Sequence, residues 1–364
     1  MVIFSHAGPI AGFYGGKDLG TQWSSEQSFG GVAIGGFFFL SGFLITRSKL
    51  RVKSTFGFFW HRFLRIFPGY FAALLVTAYL LAPITWYWRN RTWEGFWNST
   101  SESPFTYVLN NFTLVMNQLN IADAGRGLPL FANTGQIDWN GSAWTLSFEF
   151  CAYILVGLLG IFGALANRSI AKIVAFVIIG FAIIQWLSIS GIWAVWPIFD
   201  DYRLMLLLAP FAMGILFQLY SEYIPIDDRL GVLTFIVAVI TYGKGGWLIL
   251  GQYAFSYFLI WFAIRVKILN KWDKNIDFSY GLYIIGWPLT LAATYFGLER
   301  FGWLIFMVTV VGLAHLYAYF SWYLIESPAM SLKNWAPKLP RIPGITQYAE
   351  FKNKNLIYNE GIEK

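Results

Sequence analysis

Cysteine is almost missing from this sequence: Cys151 stands alone. It has no partner for an intramolecular disulfide, and a cysteine-rich metal site is excluded. Histidine is scarce as well, and His6, His61 and His315 are too far apart for metal-ligand spacing. Charged residues are 12% of the chain, about half of the roughly 25% usual in a soluble domain. Residues 1–13 are mildly apolar but lack the charged n-region and cleavage site of a signal peptide. No internal repeat is evident.

What fills the space is apolar. Of 364 residues, 57% are hydrophobic and 20% aromatic, with 18 Trp and 35 Phe. A soluble fold would need a very large core to hide that surface, whereas lipid accepts it directly. The net charge of +7 does not point to nucleic acid, because the basic residues sit in short clusters between apolar runs. That distribution is the positive-inside pattern of a multi-pass membrane protein.

Nine apolar runs approach the roughly 20 residues that a bilayer-crossing helix needs: 30–46, 66–83, 142–163, 170–190, 203–221, 229–243, 246–265, 278–297 and 302–325. Residues 1–13 have the character of the second half of one more span. The expected fold is therefore an all-α polytopic protein of about ten transmembrane helices, the first cut short at the N-terminus. With both termini cytoplasmic, 19 of the 26 Lys and Arg residues fall on the inner side, and shifting the parity by one span inverts this excess. The expected organisation is a transmembrane domain over 1–328 with a cytoplasmic tail at 329–364. A long outer segment, 84–141, opens on the aromatic-belt sequence "TWYWRNRTW" and holds "FTYVLNNFTLVMN", a candidate short helix lying on the membrane. Its length suggests an acceptor-facing lid or a re-entrant element.

Polar residues inside such runs are the candidates for chemistry. Ser142, Thr145, Glu149 and Tyr153 share one helical stripe, and a carboxylate within a span is expected to face the bundle interior or a water-filled cavity. The bland alternative is a hydrogen-bonded residue that fixes helix packing. Arg62 and Arg65 in "FWHRFLRIFPGYF" lie one turn apart at the mouth of a span, where they can dock phosphates or anchor lipid headgroups. His6 is suited to act as a general base, although a lone histidine on an apolar face is more often a packing residue. His315, Tyr319, Trp322 and Glu326 share a further stripe, read as structural because Pro328 follows.

In order, "VIFSHAGP", "GGFFFLSGFLITRS", "FWHRFLRIFPGY", "NGSAWTLSFEFCAY", "FSYGLYIIGWPL" and "LIESP" resemble the acyltransferase family 3 membrane proteins across residues 2–328. The resemblance implies a ten-helix layout, a cytoplasmic acyl-CoA donor and an acceptor on the outer side. It implies catalytic roles for His6 and Glu149, CoA binding by Arg62 and Arg65, and a substrate passage lined by Ser41, Trp144 and Tyr153. Gly42, beside Ser41, would allow close packing or passage of a thin chain. Three departures stand out. A basic residue is usual about eleven positions before the histidine, upstream of Met1 here; Gly35 replaces a common acidic residue; and Gly286 replaces a frequent histidine.

The activity so implied is transfer of an acyl group, acetyl by default, from acyl-CoA to a hydroxyl of an exported or cell-surface carbohydrate. The expected partners are a carbohydrate or lipid-linked glycan acceptor, acyl-CoA as co-substrate and the lipid bilayer, with no nucleic acid, no metal and no permanently bound cofactor. The expected location is a bacterial inner membrane. Two alternatives stay open: a carrier of lipid-linked glycans without acyl chemistry, and an inactive scaffold with an incomplete first helix. The separate MBOAT superfamily would require a histidine in a middle span, which is not evident.

Overall fold

The computed structural model describes residues 1–24, 26–52, 54–99, 102–122, 128–189, 202–266 and 276–335, and among them there are helices and loops but no strand. The main helices are α1 (Val2–Ala11), α2 (Phe29–Arg51), α3 (Thr55–Val76), α4 (Ala82–Asn90), α5 (Pro104–Asn111), α6 (Pro129–Thr134) and α7 (Trp144–Ile161). They continue with α8 (Arg168–Ile189), α9 (Tyr202–Leu219), α10 (Asp228–Lys244), α11 (Gln252–Arg265), α12 (Ser279–Tyr295), α13 (Trp303–Ser321) and α14 (Ser327–Ser331). Among the described residues, five helical stretches are long and apolar enough to cross a membrane: Phe29–Arg51, Thr55–Asn90, Trp144–Ile161, Trp247–Arg265 and Trp303–Asn334. Lys53, Lys267, Lys271, Lys274 and the tail beyond Trp335 lie outside the described residues.

Local sequence sets the helix boundaries. Ser28 and Ser54 accept the N–H groups of Gly31 and Gly57 at the starts of α2 and α3, satisfying donors that have no partner within the helix. Gly12 ends α1 at φ 80°, a conformation that suits glycine.

Small and polar side chains share the interior with the apolar core, while many large apolar side chains face outward. On α2, Ser41, Gly42 and Ile45 are buried while Phe37, Leu40 and Leu44 are exposed. On α13, Ala314 and Ala318 are buried while Leu304, Val308 and Leu316 face outward. Water would oppose such a surface; hydrocarbon does not. The chain is an integral membrane protein by this criterion. The main core, with Phe38, Phe58, Tyr70, Val156, Phe211 and Ile284, lies between α2, α3, α7, α9 and α12.

Two local expectations change. The "FTYVLNNFTLVMN" helix stops at Asn111, because Asn111 Oδ1 accepts the N–H groups of Asn117 (2.8 Å) and Gln118 (3.0 Å) and folds the chain back. One face of this helix packs on the bundle, where Tyr70 donates to the Asn111 carbonyl at 2.7 Å. The His315–Glu326 stripe does not persist either. A π-helical turn at Trp322–Glu326 adds a residue to the turn, so Glu326 is buried while His315 and Tyr319 are exposed.

Candidate active site

At the N-terminal end of α12, α3 and α7 bring four predicted residues together. Glu149 is only 6% exposed and therefore does not face lipid. It accepts a hydrogen bond from Tyr153, one turn further along α7. Arg65 and Arg62 are the charges acting on it, and the Arg62 guanidinium lies 5.8 Å from the Tyr153 ring centre. Ser41 is buried beside the Tyr153 hydroxyl without a hydrogen bond close enough to satisfy its own oxygen. Ser142 and Thr145 are buried too, though α7 begins at Trp144 and leaves Ser142 in the preceding turn. Trp144 stands apart from this group, partly buried against Phe148 and under the Arg203 guanidinium.

The two arginines differ. Arg65 is paired with Asp277, just before α12, and lies 3.9 Å from Glu326. Glu326 in turn accepts from Ser321 at 2.7 Å. Burial disfavours the Asp277 charge, but Arg65 and the Ser279 hydroxyl outweigh it and hold the carboxyl below its ordinary range. Arg62 has no carboxylate within ion-pair distance among the described residues, and its buried Nε is unpartnered. Asp277 carries no signal at the level of sequence, and Glu326 stands there only as part of a structural stripe, because the arginine both meet is more than 200 positions away in the chain.

Further along α12, the surroundings of His6 are different. Both ring nitrogens of His6 are buried and lack hydrogen-bond partners. Trp287 meets the imidazole edge-to-face, with ring centres 4.6 Å apart. The carboxylate beside His6 is Asp18, with Oδ1 4.0 Å from Nδ1; a hydrogen bond to Glu149 is absent. Ser5 donates to the same Asp18 oxygen at 3.0 Å, and burial lifts the Asp18 carboxyl above its usual range despite that bond. Gly8 makes this arrangement possible: a β-carbon there would sit 1.8 Å from the Lys17 carbonyl oxygen. The loop thus crosses directly over α1 and delivers Asp18 to His6. Gly286 has a similar role on α12, since Ile3 occupies the space a β-carbon would need, at 2.7 Å. The glycine in place of a histidine follows from this close approach of α1.

α12 joins the two ends. Tyr280 donates to the Ile66 carbonyl at 2.8 Å on the arginine side. Tyr283 contacts Thr145 Oγ1 at 2.5 Å and donates to the Ser142 carbonyl at 2.7 Å. Trp287 donates to the Asp138 carbonyl at 2.6 Å beside His6. From Tyr280 to Trp287 the helix rises roughly 10 Å, so the arginine and histidine sites lie at different depths. Tyr283 and Trp287 are one turn apart in "YGLYIIGWP", and that spacing was the available sequence signal for them.

The Asp138 carboxyl, in the loop before α7, is lifted from 3.8 to about 6 by burial, against a hydrogen bond from the Asn140 N–H. The folded chain therefore binds a proton that the unfolded chain releases between these values. This stabilisation is present below about pH 4 and disappears as pH rises through about 6. Asp138→Asn keeps an acceptor without the charge. It should stabilise the fold by up to about 3 kcal/mol at pH 7.5, read as a higher thermal midpoint, with the gain fading toward pH 4. An unchanged midpoint at pH 7.5 would show that water reaches the carboxylate.

The profile of the family described as "Acyltransferase domain" matches residues 1–320. The chain is 27% identical over 329 residues to an O-acetyl transferase of Shigella phage Sf6, covering 84% of this chain and 89% of that protein. It is 25% identical over 371 residues to Nodulation protein 10 of Rhizobium leguminosarum bv. viciae, covering 92% of this chain and 90% of that protein. No solved structure matches significantly. The matched range contains the arginine pair, Glu149, His6 and the whole of α12, and the chain belongs to acyltransferase family 3 and is an acyltransferase.

Proposed function

We propose that the protein is an O-acetyltransferase that uses cytoplasmic acetyl-CoA to modify a hydroxyl of an exported carbohydrate. The observation that carries this reading is the pair of sites along α12: at one depth Arg62, whose buried Nε has no hydrogen-bond partner, and at another His6, whose two buried ring nitrogens have none and whose neighbouring carboxylate is Asp18. This reading takes the ten-span layout with both termini inside, in which Arg62 lies toward the cytoplasm and His6 toward the outer face. The default acetyl group is supported by the name of the phage relative. The Trp- and Asn-rich segment 84–141, which meets Trp287 beside His6, offers aromatic and amide groups suited to sugar hydroxyls.

His6 accepts the proton of the acceptor hydroxyl as its oxygen attacks the thioester carbonyl. A C–O bond forms, the C–S bond breaks, and the CoA thiolate leaves and takes a proton. Asp18 is placed to hold the imidazole while it is protonated, the role first expected of Glu149. Glu149 belongs instead with Tyr153, Ser41 and the donor end.

Arg62 takes donor phosphate, while Arg65 holds α3 to Asp277 and Glu326. Arg62→Lys loses the two-pronged contact and should weaken CoA binding about tenfold with little change in thermal stability. Arg65→Met leaves Glu326 unpaired and should lower stability by about 3 kcal/mol. Equal effects of both on CoA binding would mean that the arginines act as a pair. The function itself is tested with purified full-length protein in nanodiscs, acetyl-CoA and candidate glycans. Acceptor-dependent release of free thiol is expected; glycan movement without thiol release would establish the carrier reading.

A further inference from the structure

Lys49 is a basic side chain buried between helices. It lies near the C-terminal end of α2 and is 8% exposed. Its Nζ donates to Thr55 Oγ1 at 3.0 Å and lies 5.8 Å from the Phe58 ring centre. No carboxylate stands within ion-pair distance of it among the described residues. To carry its charge there, Lys49 needs an anion beside it.

The surroundings show where that anion would lie. On α7, Tyr153, Gly157 and Gly160 form one stripe, spaced i, i+4 and i+7. Arg62 covers Tyr153, Phe59 fills the space over Gly157, and the Lys49 stem fills the space over Gly160. A β-carbon at Gly157 would stand 2.3 Å from the Phe59 ring, and one at Gly160 would stand 2.3 Å from Lys49 Cε. α2, α3 and α7 therefore enclose a seam with a cation at each end, separated by roughly 10 Å of helix rise. The glycines leave room for both long side chains.

Resting on the acetyl-CoA reading above, we propose that Lys49 binds the 3′-phosphate of the donor while Arg62 binds its pyrophosphate. The order follows from chemistry. The thioester must point toward His6, the pyrophosphate follows at Arg62, and the adenosine phosphate is left at the mouth beside Lys49. The same phosphate chemistry is present in lipid headgroups, so the test separates the two sources.

Binding of CoA and of dephospho-CoA, which lacks the 3′-phosphate, is measured by calorimetry on full-length protein in nanodiscs. The wild type should favour CoA about tenfold. Lys49→Met should lose that preference by weakening CoA binding alone. Gly160→Ala, which keeps the charge but displaces the Lys49 stem, should show the same selective loss and guards against a variant that does not fold. Equal weakening of both ligands, or no weakening, overturns the assignment. So does a CoA preference seen with zwitterionic lipid and abolished by anionic lipid, which would give Lys49 to a headgroup. If the wild type binds neither ligand, the acetyl-CoA reading falls, and this assignment with it.

Discussion

His6→Ala should lower acyl transfer by about a thousandfold, within the range seen when a general base is removed, while CoA binding stays unchanged. The separation of the two sites leads to this expectation. His6 touches Trp287 and stands beside Asp18, whereas Arg62 and Lys49 meet α7 on its Tyr153–Gly160 stripe. Removing the imidazole therefore leaves the donor seam intact. A packing histidine would give the opposite pattern, with lost stability and retained turnover in the molecules that fold. Full activity in His6→Ala would remove it from the mechanism. Asp18→Asn should fall between the wild type and His6→Ala, because the carboxylate acts through the imidazole.

The second large effect lies in packing. Gly42 of α2 and Gly214 of α9 meet at a backbone-to-backbone crossing. A β-carbon on Gly42 would stand 2.1 Å from the Phe211 carbonyl oxygen, and one on Gly214 would stand 2.1 Å from that of Phe39. Neither oxygen belongs to a flexible side chain, so the helices must separate. Gly42→Ala should destabilise the protein by more than about 4 kcal/mol, a magnitude reserved for a small set of structural faults. Gly312 on α13 has nothing within 4 Å of its β-carbon position, and Gly312→Ala should be neutral or stabilising by up to about 1 kcal/mol. Thermal unfolding in detergent compares the two. A mild effect at Gly42 would mean that α2 and α9 are looser than described. The contact also gives Gly42 a packing role, one of the two roles its small size allowed.

The sequence by itself determined the class. Scarce charge, dense aromatics and long apolar runs leave a helical membrane protein as the economical solution, because only closed hydrogen-bonding structures tolerate lipid. Periodicity along a single helix also put Thr145, Glu149 and Tyr153 on one stripe, since i, i+4, i+8 spacing is a property of one segment, whereas Ser142 lies in the turn before α7. The motif order gave His6, Arg62 and Glu149 as residues worth following.

Tertiary structure alone decided which of them meet. Asp18 stands beside His6 because Gly8 lets a loop cross α1 at backbone contact, and nothing in the local sequence encodes that crossing. Arg65 is tied down because Asp277 and Glu326 reach it from distant parts of the chain, whereas Arg62 meets no carboxylate at ion-pair distance among the described residues. The burial of Lys49 is likewise visible only once α3 and α7 have closed around it. Periodicity reports which way a side chain points from its own helix; what it points at is set by packing between helices distant in the chain.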